Sequence, residues 1–170
     1  MRVRGTIDAA LFPRAVFRRK LISDMNEVRT TYDPGRTRVL VVAADAGTDP
    51  AAGRAWGLAE ALAARHDVIL ALPAVTGLTH PAFAIVYYNR RNLALMVRDS
   101  DAVVCELTVA GDQPFIFEQG RPVALDLAVR PLEAGLSAAA ASADFFICAD
   151  ETERQAWLEL LAAAGRVNPR

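Results

Sequence analysis

Few residues of this chain can do chemistry, and they are widely spaced. Glu106 closes the apolar run "AVVCE" and Asp126 lies in "PVALDL". Both runs read as strands, so the two carboxylates sit at strand ends. There they can bind hydroxyls or take a proton, or serve as helix caps and loop salt bridges. His80 lies in the loop "TGLTHPAF" that follows another strand-like run. It reads either as a residue of the ligand-binding edge or as loop structure. The other histidine, His66, ends a helix-like segment and reads as a solvated turn residue. The stretch "DPAAGRAWGLAEALAARHDVILAL", Asp49 to Leu72, opens on a glycine-bearing turn and runs through a helix into a strand. Such a turn presents backbone N–H groups at a helix N-terminus, where a carboxylate, phosphate or sugar hydroxyl can bind. The alternative is a tight βα turn without a ligand.

Several chemistries fail on spacing. A dinucleotide cradle needs G-x-G-x-x-G, with each glycine letting the backbone approach a pyrophosphate. Here Gly47 and Gly53 stand too far apart, and no acid ends the second strand. A P-loop would need a lysine after its second glycine, and Arg54 follows instead. Lys20 is the only lysine, which removes Schiff-base chemistry and a receiver-type lysine from the rest of the chain. There is no G-x-S-x-G elbow and no His/Cys/carboxylate group with metal-ligand spacing. The two cysteines, Cys105 and Cys148, sit at the ends of apolar runs and read as small core residues, since no CxxC pairs them.

The elements that must position these residues alternate. "RVLVVA", "DVILAL", "AIVYY", "AVVCE", "PVALDL" and "DFFICA" are apolar on both faces, as strands buried between two helical layers are. Helix-like segments separate most of them. The pattern predicts an α/β fold: a single Rossmann-like domain over 37–170, with a parallel sheet flanked by helices. Residues 1–36 read as an N-terminal helical arm, with Phe17, Leu21, Met25 and Val28 on one stripe and "DPG" ending it. Asp49 and Pro50 are start signals for the first domain helix, whose buried stripe is expected at Ala55, Leu58, Ala59 and Leu62. Asn89 is expected to cap a helix whose Leu93, Met96 and Val97 face inward. Asp150 and Glu153 form a capping box before a Trp157, Leu160, Leu161, Ala164 stripe, and Gly165 ends that helix. "SAAAASA" reads as one helix turn and its exit.

The chain's 170 residues suffice for one domain with a real core. With 19 basic and 20 acidic residues, it offers no nucleic-acid surface. The cysteine usage, the absence of a long apolar run and the lack of a signal-peptide core predict a cytoplasmic protein. Arg14, Arg18, Arg19 and Lys20 cluster beside Phe17 and Leu21. They suggest weak peripheral contact with the inner face of the membrane, or else the stripe packs on protein.

Three stretches carry a family resemblance. They are "GRAWGLAEALAARHDVILA", then "SDAVVCE" with "GRPVALDL" and "PLE", and "ADFFICADETERQAWLELLAAAGRVNP". From Thr37 onward the chain resembles the N-terminal domain of GT-B glycosyltransferases of the retaining, glycogen-synthase-like superfamily. The third stretch is the most specific. Where the family's fifth strand often continues Leu-Tyr-Asp-Pro, this chain has Ala128, Val129 and Arg130 before its proline. The resemblance implies the acceptor-side half of an enzyme of polysaccharide or glycolipid synthesis that transfers a hexosyl group. The nucleotide-sugar donor would be held mainly by a second domain not present in this chain, so the chain alone is expected to be inactive. The acceptor would be a sugar or a lipid-linked molecule. Its expected contacts are Gly47, Thr48, Arg54, Trp56, His80, Glu106 and Asp126, with Trp56 either a platform or a packing residue. No metal and no organic cofactor are implied for this half, and no catalytic residue is assigned. The alternatives are a non-catalytic ligand-binding or protein-interaction domain, and a small enzyme acting alone on a phosphorylated substrate.

Overall fold

Each apolar run identified above becomes a strand, because a chain that is apolar on both faces is stable only between two covering layers. The strands are β1 (Arg38–Val42), β2 (Asp67–Leu72), β3 (Ala84–Tyr87), β4 (Ala102–Glu106), β5 (Val123–Asp126) and β6 (Phe145–Ile147). The computed structural model describes residues 35–45, 53–127, 134–163 and 165–166. The arm expected to be helical, up to residue 34, the turn residues Gly47, Thr48, Asp49 and Pro50, and the departure at Ala128–Arg130 lie outside the described residues.

The strands form one six-stranded sheet in the order β3-β2-β1-β4-β5-β6, and every neighbouring pair is parallel. Parallel neighbours need crossovers, supplied by α1 (Arg54–Ala63), α2 (Arg90–Asp99), α3 (Leu107–Asp112) with the 3-10 turn Pro114–Gln119, α4 (Ala134–Ser142) and the loop between β2 and β3. A last helix, α5 (Glu151–Ala163), follows β6. Alternation along β1 divides the core. Val39 and Val41 pack with Ala55, Trp56, Ala59 and Ala63 of α1. Leu40 and Val42 pack on the opposite face with Leu93 and Val97 of α2, Leu107 of α3 and Trp157 of α5. The order reverses between β1 and β4. At such a point the connections leave in opposite directions and open a crevice at the carboxyl ends of the strands.

At the other edge, Arg38 is buried and its guanidinium lies 2.9 Å from Asp67, while Asp101 accepts its backbone N–H at 2.8 Å. Arg36 donates to the carbonyls of Ala63 and Arg65, so a cation meets the carbonyl end of α1.

The predicted end signals act largely as expected. Asn89 caps α2 by accepting from Arg91 N and Asn92 N, and the Asn92 side chain answers by accepting from Asn89 N. Asp150 accepts from Glu153 N at 2.8 Å, while Glu153 reaches back to Ala149 N at 2.9 Å. Gly165 takes φ 71°, and Gly165 N and Arg166 N donate to the carbonyls of Ala162 and Leu161, a Schellman end.

Five readings are corrected. α1 starts at Arg54 with Gly53 as its N-cap, rather than beside Asp49. Its buried stripe is Ala55, Trp56, Ala59 and Ala63, with Leu58 and Leu62 only half-buried. The alanines let the helix sit close to the sheet, and Phe83 from the β2–β3 loop covers Trp56. In α5, Trp157 and Leu161 are buried but Leu160 is exposed, and Ala164 is outside the described residues. "SAAAASA" belongs to a nine-residue helix, α4, rather than a single turn. His66 is half-buried, and its Nδ1 is buried with no hydrogen-bond partner among the described residues.

Candidate functional site

The crevice at the switch point is built from strand exits. β4 and β5 pair so that Glu106 stands opposite Asp126, which brings two residues 20 apart in sequence side by side at the carboxyl edge. Asp126 is 2 % exposed, and Arg54, the first residue of α1, places its Nε 2.7 Å from both carboxylate oxygens. The Arg54 side chain remains 31 % exposed, so the guanidinium spans from a buried carboxylate to solvent. A buried carboxylate persists only with such a partner, because an unpaired charge in the interior is costly.

Glu106 is half-buried and forms no salt bridge among the described residues. Burial pushes its carboxyl above the ordinary value, the N–H of Ala44 pulls it back, and the charges of Asp126 and Asp45 push it up further. A carboxyl in that state can accept a hydroxyl proton when ionised or donate one when neutral. Tyr88, at the exit of β3, donates its hydroxyl to the Ala43 carbonyl at 2.9 Å. Burial, and then the charge of Glu106, raise that phenol to about 12, so it stays a neutral hydroxyl. The crevice thus gathers Ala43–Asp45, Arg54, Tyr88, Glu106 and Asp126. Among the described residues, no three His, Cys, Asp or Glu side chains converge as metal ligands do.

Trp56 and His80 are brought together with each other, away from the Arg54–Asp126 pair. Trp56 is 8 % exposed and meets His80 and Phe83 edge-on, at centroid distances of 5.5 and 5.3 Å. His80 stacks on Phe83 at 4.0 Å. Glu60 joins the group, accepting from Trp56 Nε1 at 3.1 Å with His80 Nε2 3.4 Å away. Ala82 N donates to His80 Nδ1, which fits the tautomer with the proton on Nε2. Together these contacts fasten the β2–β3 loop to α1. Gly47 and Thr48 belong to the β1–α1 turn, outside the described residues.

Tyr88 and Asp45 were missed by sequence reasoning. The signal for Tyr88 was present, because "YYN" ends a strand at the same edge as Glu106 and Asp126. Which of its two tyrosines enters the crevice depends on the strand's pleat. Cys105 is deeply buried, with its thiol raised to about 12 by burial and then by Glu106. It takes no part in the crevice chemistry. Cys148 is half-buried at the exit of β6, and its thiol is raised, first by burial and then by Glu153.

No protein-family model matches the chain, and no curated protein sequence does. Among solved structures it is similar to the crystal structure of the glycosyltransferase SnogD from Streptomyces nogalater, at 17% sequence identity and a TM-score of 0.44. That similarity covers 78% of this chain and 40% of the other, so the chain spans less than half the length of that protein.

Proposed function

We propose that this chain is the acceptor-binding half of a glycosyltransferase, which holds a hydroxyl-bearing acceptor at the switch-point crevice while a second domain presents a nucleotide-sugar donor. The observation that carries the reading is the meeting of Glu106, the Arg54–Asp126 pair and the Tyr88 hydroxyl at one sheet edge. Such a set supplies donors and acceptors for sugar hydroxyls, and the sequence has neither glycine fingerprint for a pyrophosphate. The family resemblance of the three sequence stretches supports the same assignment.

In this mechanism the chain contributes position rather than a covalent step. Arg54 and Asp126 fix the donor and acceptor directions at the crevice floor. Glu106 orients the attacking hydroxyl, and transfer follows when the two substrates are aligned, since alignment supplies a large part of the rate. Gly47 and Thr48 of the sequence between β1 and α1 are further acceptor contacts in this reading. His80 and Trp56 act at one remove, by fastening the neighbouring loop. A lipid-linked acceptor would suit the basic arm residues Arg14, Arg18, Arg19 and Lys20, whose contact with anionic lipid would be weak and salt-sensitive.

The test is amide NMR on the 170-residue chain with millimolar glycosides and, separately, with nucleotide sugars. Glycosides should shift the amides of Ala44, Tyr88, Glu106 and Asp126, and Glu106→Gln should weaken the response. Nucleotide sugars should give no micromolar binding, and the isolated chain should transfer no sugar. Tight binding of a nucleotide sugar with no response to any glycoside would overturn the assignment.

A further inference from the structure

The ladder between β1 and β2 stops at the crevice for a reason visible in the sequence. Val42 pairs with Ala71, and Ala43 N donates to the Ala71 carbonyl at 3.1 Å. In a parallel ladder the next bond would run from the N–H of residue 73 to the Ala43 carbonyl. Residue 73 is Pro73, which has no N–H. Ala43 is buried, so its carbonyl needs a donor from the protein. That donor is the Tyr88 hydroxyl, 2.9 Å away, which comes from the exit of β3 on the far side of β2.

The bond matters to the crevice because of what shares the peptide. The Ala43 carbonyl and the Ala44 N–H belong to one planar unit. On the other side of β1, the pairing of Val42 with Cys105 brings that unit level with Glu106. Its N–H favours the ionised Glu106 carboxyl, while the charge of Asp45, the next residue, opposes ionisation less strongly. A donor on the carbonyl polarises the N–H of the same peptide and fixes the direction in which it points. Tyr88 and Ala44 pack against the same core cluster, so the ring holds the hydroxyl in place.

We propose that Tyr88 is a positioning residue: its hydroxyl takes the place of the N–H that Pro73 cannot offer, and so holds the Ala43–Ala44 peptide against Glu106. A side chain thereby ties β1 to β3 at the point where the backbone ladder has ended. In this role Tyr88 acts on Glu106 through Ala44 rather than through a ligand. That Glu106 orients an acceptor hydroxyl rests on the acceptor-binding reading. The coupling of Tyr88 to Glu106 does not.

Two variants of the full chain test this: Tyr88→Phe, and Tyr88→Phe combined with Pro73→Ala. The first keeps the ring and removes the donor. The second restores an N–H at the ladder position, so one donor replaces the other. Amide exchange at Ala43, measured against Leu125 in β5, should quicken about fivefold in Tyr88→Phe, the factor expected for one lost hydrogen bond. It should return to within about twofold of the unaltered rate in the combined variant. The Glu106 carboxyl is followed by carbon NMR and assigned through Glu106→Gln. In Tyr88→Phe it should titrate at higher pH, because the Ala44 N–H no longer favours its ionised form, and it should shift back in the combined variant. Tyr87→Phe, which alters the exposed neighbouring ring, should change neither readout. The proposal is overturned if Tyr88→Phe leaves Ala43 exchange unchanged, if it leaves the Glu106 titration in place or moves it to lower pH, or if the combined variant titrates as Tyr88→Phe does. An equal change in Tyr87→Phe also overturns it. If Tyr88→Phe does not fold, the combined variant decides: it folds if the missing donor was the cause, and its failure to fold overturns the proposal. Neither readout uses a ligand, so failure here leaves the acceptor-binding reading standing. Failure of glycosides to bind the crevice leaves the coupling standing.

Discussion

Cutting the ion pair at the crevice floor should reveal how much of the fold rests on it. Arg54 Nε lies 2.7 Å from both oxygens of Asp126, with side-chain exposures of 31 % and 2 %. Removing one member of a fully buried pair costs about 3–5 kcal/mol, because the other is stranded. A fully exposed pair contributes about 0.2–1 kcal/mol. Here the carboxylate sits at the buried limit and the guanidinium reaches water, so Arg54→Met should cost about 2 kcal/mol, between those bounds. Asp126→Asn leaves a cation that can hydrate, and should cost about 1 kcal/mol. The double variant strands no charge and should cost no more than about 1 kcal/mol, which gives a coupling of about 2 kcal/mol. Urea unfolding of all four proteins measures the cycle, provided that the transition is two-state. A midpoint shift for Arg54→Met worth less than about 0.5 kcal/mol, or losses that add within about 0.3 kcal/mol, would refute the argument.

Glu106→Gln should stabilise the protein at neutral pH, because the folded state raises this carboxyl above its ordinary value. The folded state then binds more protons than the unfolded one between those two values, so the wild type loses stability as pH rises through that window. The variant's advantage should be full above the raised value and vanish below the ordinary carboxylate range, as urea titrations at several pH values would show. An advantage that does not change with pH would contradict this sign. Asn89→Ala removes the side-chain acceptor of the α2 capping box, while the bond from Asn89 N to Asn92 Oδ1 can persist; it should cost about 1 kcal/mol, with amide exchange increasing first at Arg91 and Asn92. Gly165→Ala meets no neighbour within 4 Å, so its whole effect, about 1 kcal/mol, should come from holding an alanine at φ 71°. Because that site closes α5, the loss should appear as fraying of the helix's last turn in amide exchange. Trp157→Phe leaves the buried Leu127 carbonyl without its donor and should cost about 1–3 kcal/mol by urea unfolding.

Much of this fold was legible because its signals are local. A run such as "VLVV" that is apolar on both faces is stable only inside a covered sheet, so all six strands could be read without coordinates. The helix ends at Asn89, Asp150 and Gly165 were legible for the same reason, since capping engages backbone groups within a few residues. The strand-end positions of Glu106 and Asp126 followed from the strands themselves.

Tertiary structure decided everything that depends on partners distant in sequence. Local periodicity put Leu58 and Leu62 in the core. The burial of Trp56 instead depends on Phe83 and His80 arriving from another loop. The contact between Arg54 and Asp126 spans 72 positions and exists because the chain reverses direction across the sheet between β1 and β4. Residue types and their spacing determined which groups could do chemistry and the edge to which they belong. The order of the strands determined which of those groups meet, because side chains on separate elements become neighbours only when the sheet is assembled.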